Sequence, residues 1–458
     1  MERFGMALAC WLLFGAVAFF QETSAGQVAA HWGQWRGPTF NGVAAKDATP
    51  PLEWSEEKNI RWKVAIPGQG YSTPIVWEDK LFLLTARPTK ESATRELRNE
   101  DLEPVAYVQR GRGNRAPRSR GTSVPRDTHE FLVMCLDRHT GETLWEQVAR
   151  REVPHEGTHE TNTFASSSPV TDGERLYASF GSRGIYCYDL DGEKLWEVDL
   201  GDMETRGGFG EGASPALHGQ TLVVPWDHEG QSFVAALDAL TGDQLWRVER
   251  DEASTWATPL VLPRGDGHQV VLNGSTAVRS YDLKTGTLLW ECGGQAMNPI
   301  PSPVADSERV YVMTGFRGHA LYAIPLDAEG DVTDSDTIAW SINELTPYIS
   351  SPALHEGLLY ITKERTGILS CIEAETGEAV YKNQRLPGIS TLYASPILAN
   401  GHLYIFGRDG AAVVVKAGRD FEIVAENQLE EGIDASPVMI GDVMYVRGAS
   451  SLYCIAAE

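Results

Sequence analysis

The sequence predicts an all-β fold, an eight-bladed β-propeller whose blades are four-stranded antiparallel sheets. Three observations lead to this prediction. A small residue followed by proline recurs eight times, an Asp…Thr-Gly…Trp motif recurs between these pairs, and the last repeat lacks a strand that the amino-terminal part of the chain can supply. Repeats of about 40–50 residues that each form one small sheet are typical of propellers.

One repeat, residues 168–196, shows the unit clearly. It starts at Ser168-Pro169-Val170 and continues through a short apolar strand at 176–180 and an alternating strand at 185–189. It ends, after an Asp-Gly turn, in a strand that carries Trp196. Four short strands joined by tight turns form one sheet, which cannot bury both of its faces alone. The repeats therefore have to pack against one another.

The proline pairs place the first strand of each blade. Successive prolines are separated by 95, 46, 44, 44, 49, 44 and 41 residues, so only the first interval is anomalous. An insertion at residues 87–128 explains it. Its ten Arg or Lys and six Asp or Glu predict a mobile basic loop, which docks an acidic partner, reaches over the channel or stays solvated. The eight pairs are Thr73-Pro74, Ser168-Pro169, Ser214-Pro215, Thr258-Pro259, Ser302-Pro303, Ser351-Pro352, Ser395-Pro396 and Ser436-Pro437.

The third and fourth strands carry the second motif, which is clearest in residues 137–145, 238–246 and 282–290. Asp opens the turn, Thr-Gly provides a positive φ, and the terminal indole is expected to pack between neighbouring sheets. The last repeat ends at residues 452–455 with no chain left for a fourth strand. We expect residues 60–64, which contain Trp62, to complete it and close the ring, because closure removes exposed strand edges.

The chain divides into three parts on this interpretation. Residues 1–25 are expected to be a cleaved export signal: Arg3 precedes an apolar run at 6–20, which is short for a membrane anchor, and small residues follow. Residues 26–59 form a lead segment, and residues 60–458 form the propeller with its insertion. The formal net charge of −24 argues against nucleic acid as a partner. We expect an exported monomer in the periplasm or on the extracellular side of the envelope, without an integral membrane segment.

The repeated Asp-x-x-Thr-Gly-x-x-x-Trp motif resembles that of the PQQ-like, or quinoprotein-type, propeller family. The lead residues Trp32-Gly33-Gln34-Trp35-Arg36-Gly37-Pro38 and the stretch 162–166 resemble secreted propellers of planctomycete-type bacteria. The resemblance covers residues 60–458. It implies either a quinone-dependent dehydrogenase or a non-catalytic relative such as an outer-membrane protein assembly factor, and fold alone does not choose between them.

Strand order predicts that the turns between second and third strands emerge on the same face as the loops that enter each Ser-Pro strand. Five of these turns carry arginine, and the entering loops add Trp256, Tyr393 and Asp434. Guanidinium groups bind carboxylates and phosphates, so we predict an arginine collar that binds an anion, with ordinary solvated turns as the alternative. The arginines are Arg183, Arg317, Arg365, Arg408 and Arg447.

A zinc-protease pattern occurs at residues 155–159, but Pro154 and Gly157 are incompatible with the helix that this chemistry needs. A loop metal site at His155, His159 and Glu160 is the weaker alternative to a plain polar loop.

The favoured function is a non-catalytic binding or scaffold propeller of the bacterial cell envelope. Its partner would be an anionic small molecule or an envelope protein, and no cofactor is expected. The first alternative is a dehydrogenase that oxidises alcohols or sugars with PQQ and calcium. However, the adjacent cysteine pair typical of such enzymes is absent from the sequence, and their calcium-binding set has no matched positions. The second alternative is a role like that of the assembly factor.

Overall fold

A computed structural model describes residues 31–92, 125–363 and 365–457. The predicted export signal lies outside these residues, as does most of the predicted insertion, residues 93–124. The described chain forms eight antiparallel sheets of four principal strands each, which confirms the predicted eight-bladed propeller.

The strands follow one another blade by blade after β1 (Ile60–Ala65). Blade 1 comprises β2 (Ile75–Trp77), β3 (Lys80–Ser92), β4 (Asp127–Asp137) and β5 (Thr143–Glu152). Blade 2 comprises β6 (Val170–Thr171), β7 (Arg175–Ser179), β8 (Ile185–Asp189) and β9 (Lys194–Val198). Blade 3 comprises β10 (Ala216–His218), β11 (Thr221–Trp226), β12 (Phe233–Asp238) and β13 (Gln244–Glu249). Blade 4 comprises β14 (Leu260–Arg264), β15 (Gly267–Leu272), β16 (Ala277–Asp282) and β17 (Leu288–Gly293).

Blade 5 comprises β18 (Val304–Ala305), β19 (Arg309–Thr314), β20 (Ala320–Pro325) and β22 (Trp340–Ile342). Between its last two strands, β21 (Gly330–Asp331) adds a short parallel strand to the outer edge of blade 4. Blade 6 comprises β23 (Ala353–His355), β24 (Leu358–Lys363), β25 (Ile368–Glu373) and β26 (Ala379–Arg385). Blade 7 comprises β27 (Ile397–Ala399), β28 (His402–Phe406), β29 (Ala411–Lys416) and β30 (Ile423–Gln428). Blade 8 comprises β31 (Val438–Ile440), β32 (Val443–Arg447), β33 (Ser451–Ala456) and, from the amino-terminal part, β1. Single 3-10 turns lie at Gly181–Arg183 and Arg206–Gly208.

Ring closure occurs where the sequence predicted it. β1 pairs antiparallel with β33, with Trp62 opposite Cys454 and Val64 opposite Leu452. In blade 1, β3 and β4 pair as far as Ser92 and Asp127. The two ends of the predicted insertion thus prolong the hairpin of this blade.

The tryptophan at the end of one blade docks onto the Thr-Gly turn of the next. Trp196 Nε1 donates to the Ala239 carbonyl at 3.0 Å, and a Cβ on Gly242 would lie 2.9 Å from the Trp196 ring. Gly242 also has a φ of +78°, so both its backbone and its missing side chain are required. The same contact crosses the closure, since Trp62 Nε1 donates to the Arg138 carbonyl at 3.2 Å. Equivalent indole contacts link several neighbouring blades, from Trp145, Trp246 and Trp340 to the carbonyls of Leu190, Leu283 and Ala374.

Within the described residues, no helix has the length and apolar character needed to cross a bilayer.

Candidate functional site

The Ser/Thr-Pro residues form a belt of hydrogen bonds around the channel. Except at Ser436, the backbone N–H of each Ser or Thr donates to the side-chain hydroxyl of the equivalent residue in the next blade. Seven such bonds, 2.8–3.2 Å long, run from Thr73 through Ser168, Ser214, Thr258, Ser302, Ser351 and Ser395 to Ser436. This belt explains why a small hydroxyl-bearing residue recurs before each proline.

The lead segment crosses one end of the channel. Residues 31–49, here called the floor segment, pair with the innermost strands or strand ends of blades on both sides of the axis. Its backbone and side-chain hydrogen bonds reach Val76, Thr171, Ala305, Leu354, Leu398 and Gly441, in blades 1, 2, 5, 6, 7 and 8. The channel is therefore covered at this end.

Arg36 anchors the floor segment. It is 1% exposed, and its guanidinium donates to the carbonyl of Pro352 and, at 3.2 Å, to that of Pro396. Burial without an acidic partner lowers the pKa of Arg36. Arg36 belongs to the lead motif of residues 32–38, which predicted no role for its side chain.

A cavity of about 380 Å³ lies on the channel axis above the floor segment. Its wall includes the belt hydroxyls of Thr73, Ser168 and Ser214, and Trp35 of the floor segment also lines it. Entering loops and turns between second and third strands line it together, as the strand order requires. Its aromatic residues are Trp35, Tyr71, Phe209, Trp256, Phe316, Tyr348 and Tyr393. We call this space the funnel.

Several funnel aromatics are held in place by their neighbours. Trp256 Nε1 donates to the Gly210 carbonyl at 2.7 Å, and the rings of Phe316 and Tyr348 stack with centroids 4.7 Å apart. Rigid, partly exposed rings offer apolar area for binding at a low entropy cost.

One wall of the funnel carries a charged cluster. Arg408 donates to both carboxylate oxygens of Asp434, at 2.6 and 3.0 Å, and its guanidinium lies 4.2 Å from the ring centroid of Tyr393. Burial raises the pKa of Asp434, and the hydrogen bonds from Arg408 and Tyr71 offset this only in part. Burial lowers the pKa of Arg408, but Asp434 more than reverses this and raises it. The guanidinium is thus charged and neutralised by its neighbour.

The five turn arginines have different environments. Arg183 and Arg447 are buried: Arg183 pairs with Glu152 and Asp202, and Arg447 donates to Ser72 and to the Leu84 carbonyl. Arg317 and Arg365 are exposed, and Arg365 lines the funnel. A common anion-binding role for the five stays a prediction.

The three weak metal candidates separate in the structure. His159 lines the funnel, where its Nδ1 is 2.8 Å from Thr161 Oγ1, and Glu160 is exposed. His155 instead lies with Glu156 and Glu211 beside a smaller cavity of about 60 Å³. One potential ligand atom from each of these three residues lies within 4.8 Å of the others. Burial raises the pKa of Glu211 to about 7 and also raises that of Glu156. Sequence reasoning placed Glu211 on an entering loop but did not connect it with His155, because the two residues lie 56 positions apart in the chain.

Comparison with known proteins shows the family to which the chain belongs. The PQQ_2 family model, described as outer membrane protein assembly factor BamB, matches residues 129–383, more than half of the chain. The chain belongs to this family. The match confirms the resemblance to PQQ-like propellers and adds the BamB-type description.

Curated relatives of the family are similar over part of their length. The BamB of Shewanella oneidensis is 25% identical over 303 residues, which are 62% of this chain and 66% of that protein. The BamB of Yersinia pestis is 23% identical over 302 residues, 63% of this chain and 68% of that protein. The match thus spans about two thirds of these relatives.

Two solved structures share the fold of this chain. BamB from Moraxella catarrhalis gives a TM-score of 0.52 at 14% identity, over 71% of this chain and 91% of that structure. The quinohemoprotein alcohol dehydrogenase from Comamonas testosteroni gives 0.60 at 10% identity, over 94% of this chain and 81% of that structure. At these identities the likeness concerns the fold alone.

Proposed function

We propose that this protein is a non-catalytic binding propeller of the bacterial cell envelope, and that its funnel binds an anionic segment of another envelope protein. The funnel carries this proposal. It is covered at one end by the floor segment, and aromatic rings, belt hydroxyls and Arg365 converge on it. Apolar walls with a few convergent polar groups are typical of binding sites.

The family match supports an envelope role. The relatives are named as outer membrane protein assembly factors, and we propose a comparable scaffold role here. We further propose that the chain is exported to the periplasm or the extracellular side as a monomer, with residues 1–25 as the signal.

Within the arginine collar, we assign recognition of the anion to the exposed Arg365 and Arg317. A guanidinium already saturated by carboxylates or carbonyls has few donors left for a ligand. Arg183, Arg408 and Arg447 have such partners, and we assign them to positioning the funnel wall.

A photo-crosslinking amino acid at position 348 tests the proposal in cells that produce the protein. We expect discrete adducts with envelope proteins from this position and none from position 195, which is on an outer strand and whose Leu is 46% exposed. Arg365→Glu should reduce the adducts at least fivefold, because it repels an anionic segment. Arg419→Glu, at a side chain that is 66% exposed, serves as the matched control. Equal adducts from both positions, or no effect of Arg365→Glu, would contradict the proposal.

The funnel residues do not fit PQQ with calcium. Calcium takes six to eight oxygen ligands, several of them carboxylates, whereas Asp434 is the single carboxylate among the described funnel residues and both its oxygens accept from Arg408. A match to methanol dehydrogenase subunit 1 of Methylobacterium organophilum is 27% identical over 144 residues and covers 26% of this chain and 22% of that protein. Dye-linked alcohol oxidation after incubation with PQQ and calcium would favour the dehydrogenase instead.

A further inference from the structure

The smaller cavity is built from two loops that link successive blades. His155 and Glu156 lie in the link between β5 and β6, and Glu211 lies in the link between β9 and β10. These loops come together at the rim of blade 2, where the cavity of about 60 Å³ has room for an ion with water. Nothing in the proposed binding function uses this cluster.

Neighbouring groups hold each of the three side chains in place. His155 Nε2 lies 2.7 Å from the Met203 carbonyl, so this nitrogen carries the proton and Nδ1 keeps its lone pair. A ring N–H that donates to a backbone carbonyl is the usual arrangement for a metal-binding histidine. The Glu156 carboxylate accepts from Thr205 N at 3.1 Å and from its hydroxyl. The Glu211 carboxylate accepts from Ser182 N at 2.8 Å and from its hydroxyl.

The charge of the cluster is not balanced by its hydrogen bonds. Ser182 and Thr205 are neutral donors, so they orient the two carboxylates without neutralising them. The neighbouring cation is Arg183, whose Nη2 is 2.9 Å from His155 Nδ1. Arg183 also pairs with Glu152 and Asp202. Carboxylates withdrawn from water normally pair with a cation or coordinate a metal.

A separate observation points to a ligand in the same cavity. Ser167 lines it and is 6% exposed. Its Oγ is buried without a hydrogen-bond partner among the described residues. A buried hydroxyl that bonds to nothing is rare and calls for an explanation such as a bound water or ion.

We propose that His155, Glu156 and Glu211 bind one divalent transition-metal ion of the zinc or manganese type, with the Ser167 hydroxyl contacting the ion or its water. One imidazole nitrogen and two carboxylates form a donor set that suits these ions. The ion displaces Arg183 from His155 Nδ1, and Arg183 keeps its two acidic partners. By joining the two inter-blade loops, the ion fixes the rim of blade 2. This inference does not depend on the proposed binding function.

Calorimetric titration of the chelator-treated protein with zinc alone tests the inference, and manganese monitored by electron paramagnetic resonance gives an independent reading. We expect one ion per chain and a raised melting temperature. Glu211→Gln should weaken binding at least tenfold, whereas Glu160→Gln, at an exposed carboxylate of the same loop region, should change it less than twofold.

Circular dichroism establishes that each variant is folded. If Glu211→Gln does not fold, His155→Gln and Glu156→Gln replace it, since each removes a different ligand. The inference is overturned if neither ion binds stoichiometrically, or if the folded ligand variants bind like the wild type. It is also overturned if Glu160→Gln loses as much affinity as they do, because the ion would then lie elsewhere in the loop.

Discussion

At the scale of single residues, the hydroxyl before each proline has a structural purpose. Ser302 accepts a hydrogen bond from Thr258 N at 2.8 Å, and its own N–H donates to Ser351 Oγ at 2.9 Å. Both groups are buried, and Ser302 is 2% exposed. Because proline follows and cannot donate a backbone hydrogen bond, the small residue supplies both the donor and the acceptor that join neighbouring blades.

Ser302→Ala is therefore expected to lower the free energy of unfolding by about 1–3 kcal/mol, the cost of leaving a buried N–H without a partner. Ser302→Thr should lower the free energy of unfolding by less, because it keeps the hydroxyl. Thr already occupies the equivalent positions 73 and 258. Denaturant unfolding of the two variants measures the difference. Equal losses would show that side-chain volume, and not the belt, determines the residue.

At the scale of elements, the floor segment converts an open channel into the funnel. Trp32 and Arg36 are each 1% exposed, and the hydrogen bonds of the segment reach six blades. A segment with so many long-range partners acts as a part of the core. Residues 26–59 were predicted only as a lead segment. Its described residues 31–49 can cover the channel only once the ring has closed, because their partners come from six blades.

Arg36→Ala is expected to destabilise the protein by about 3 kcal/mol, because it leaves buried carbonyl groups without donors and opens a cavity. Arg61→Ala is the matched control. Arg61 is 40% exposed and its atom Nη2 lies 3.4 Å from Asp442 Oδ2, so its loss should cost about 0–1 kcal/mol. Thermal unfolding of both variants measures this. Equal shifts in melting temperature would argue against the anchoring role.

At the scale of the whole molecule, closure joins the two ends of the propeller. Glu56, just before β1, accepts hydrogen bonds from Glu430 N, Lys63 Nζ and Tyr453 Oη, each at 3.0 Å. Burial raises the pKa of Glu56, but these hydrogen bonds outweigh it and hold the pKa below its usual range. The segment that leads into the closing strand therefore has an electrostatic contact with β33 of blade 8, in addition to the sheet pairing of β1.

A carboxyl whose pKa is lowered by folding stabilises the protein above its unfolded pKa, about 4.3 for glutamate, and loses that effect as the pH falls through the folded value. Glu56→Gln should thus lower the melting temperature at pH 7. The difference from the wild type should shrink below about pH 4.3. Glu57→Gln, at an exposed neighbour, should have little effect at either pH. If the difference in melting temperature between Glu56→Gln and the wild type stays constant with pH, this account is contradicted.

The repeat-based predictions succeeded because their causes are local. The Asp…Thr-Gly turn and the following tryptophan require particular backbone angles and a missing Cβ, as at Gly242, and such requirements recur visibly in several blades. Arg36 was missed because it occurs once, outside the repeats. The turn arginines look alike in sequence, yet Arg447 is buried against carbonyls while Arg365 is exposed. Partners distant in the chain make that difference.

The sequence by itself determined the number of blades, the four-strand unit and the closing role of residues 60–64, since periodic apolar patterns and tight turns depend on neighbours close in the chain. Only the tertiary structure decided that the lead segment covers the channel, that Glu211 joins His155 and Glu156, and which arginines face the funnel. These features arise where loops from different blades meet around a common axis. Side chains far apart in sequence come within hydrogen-bonding distance there only after the ring has closed.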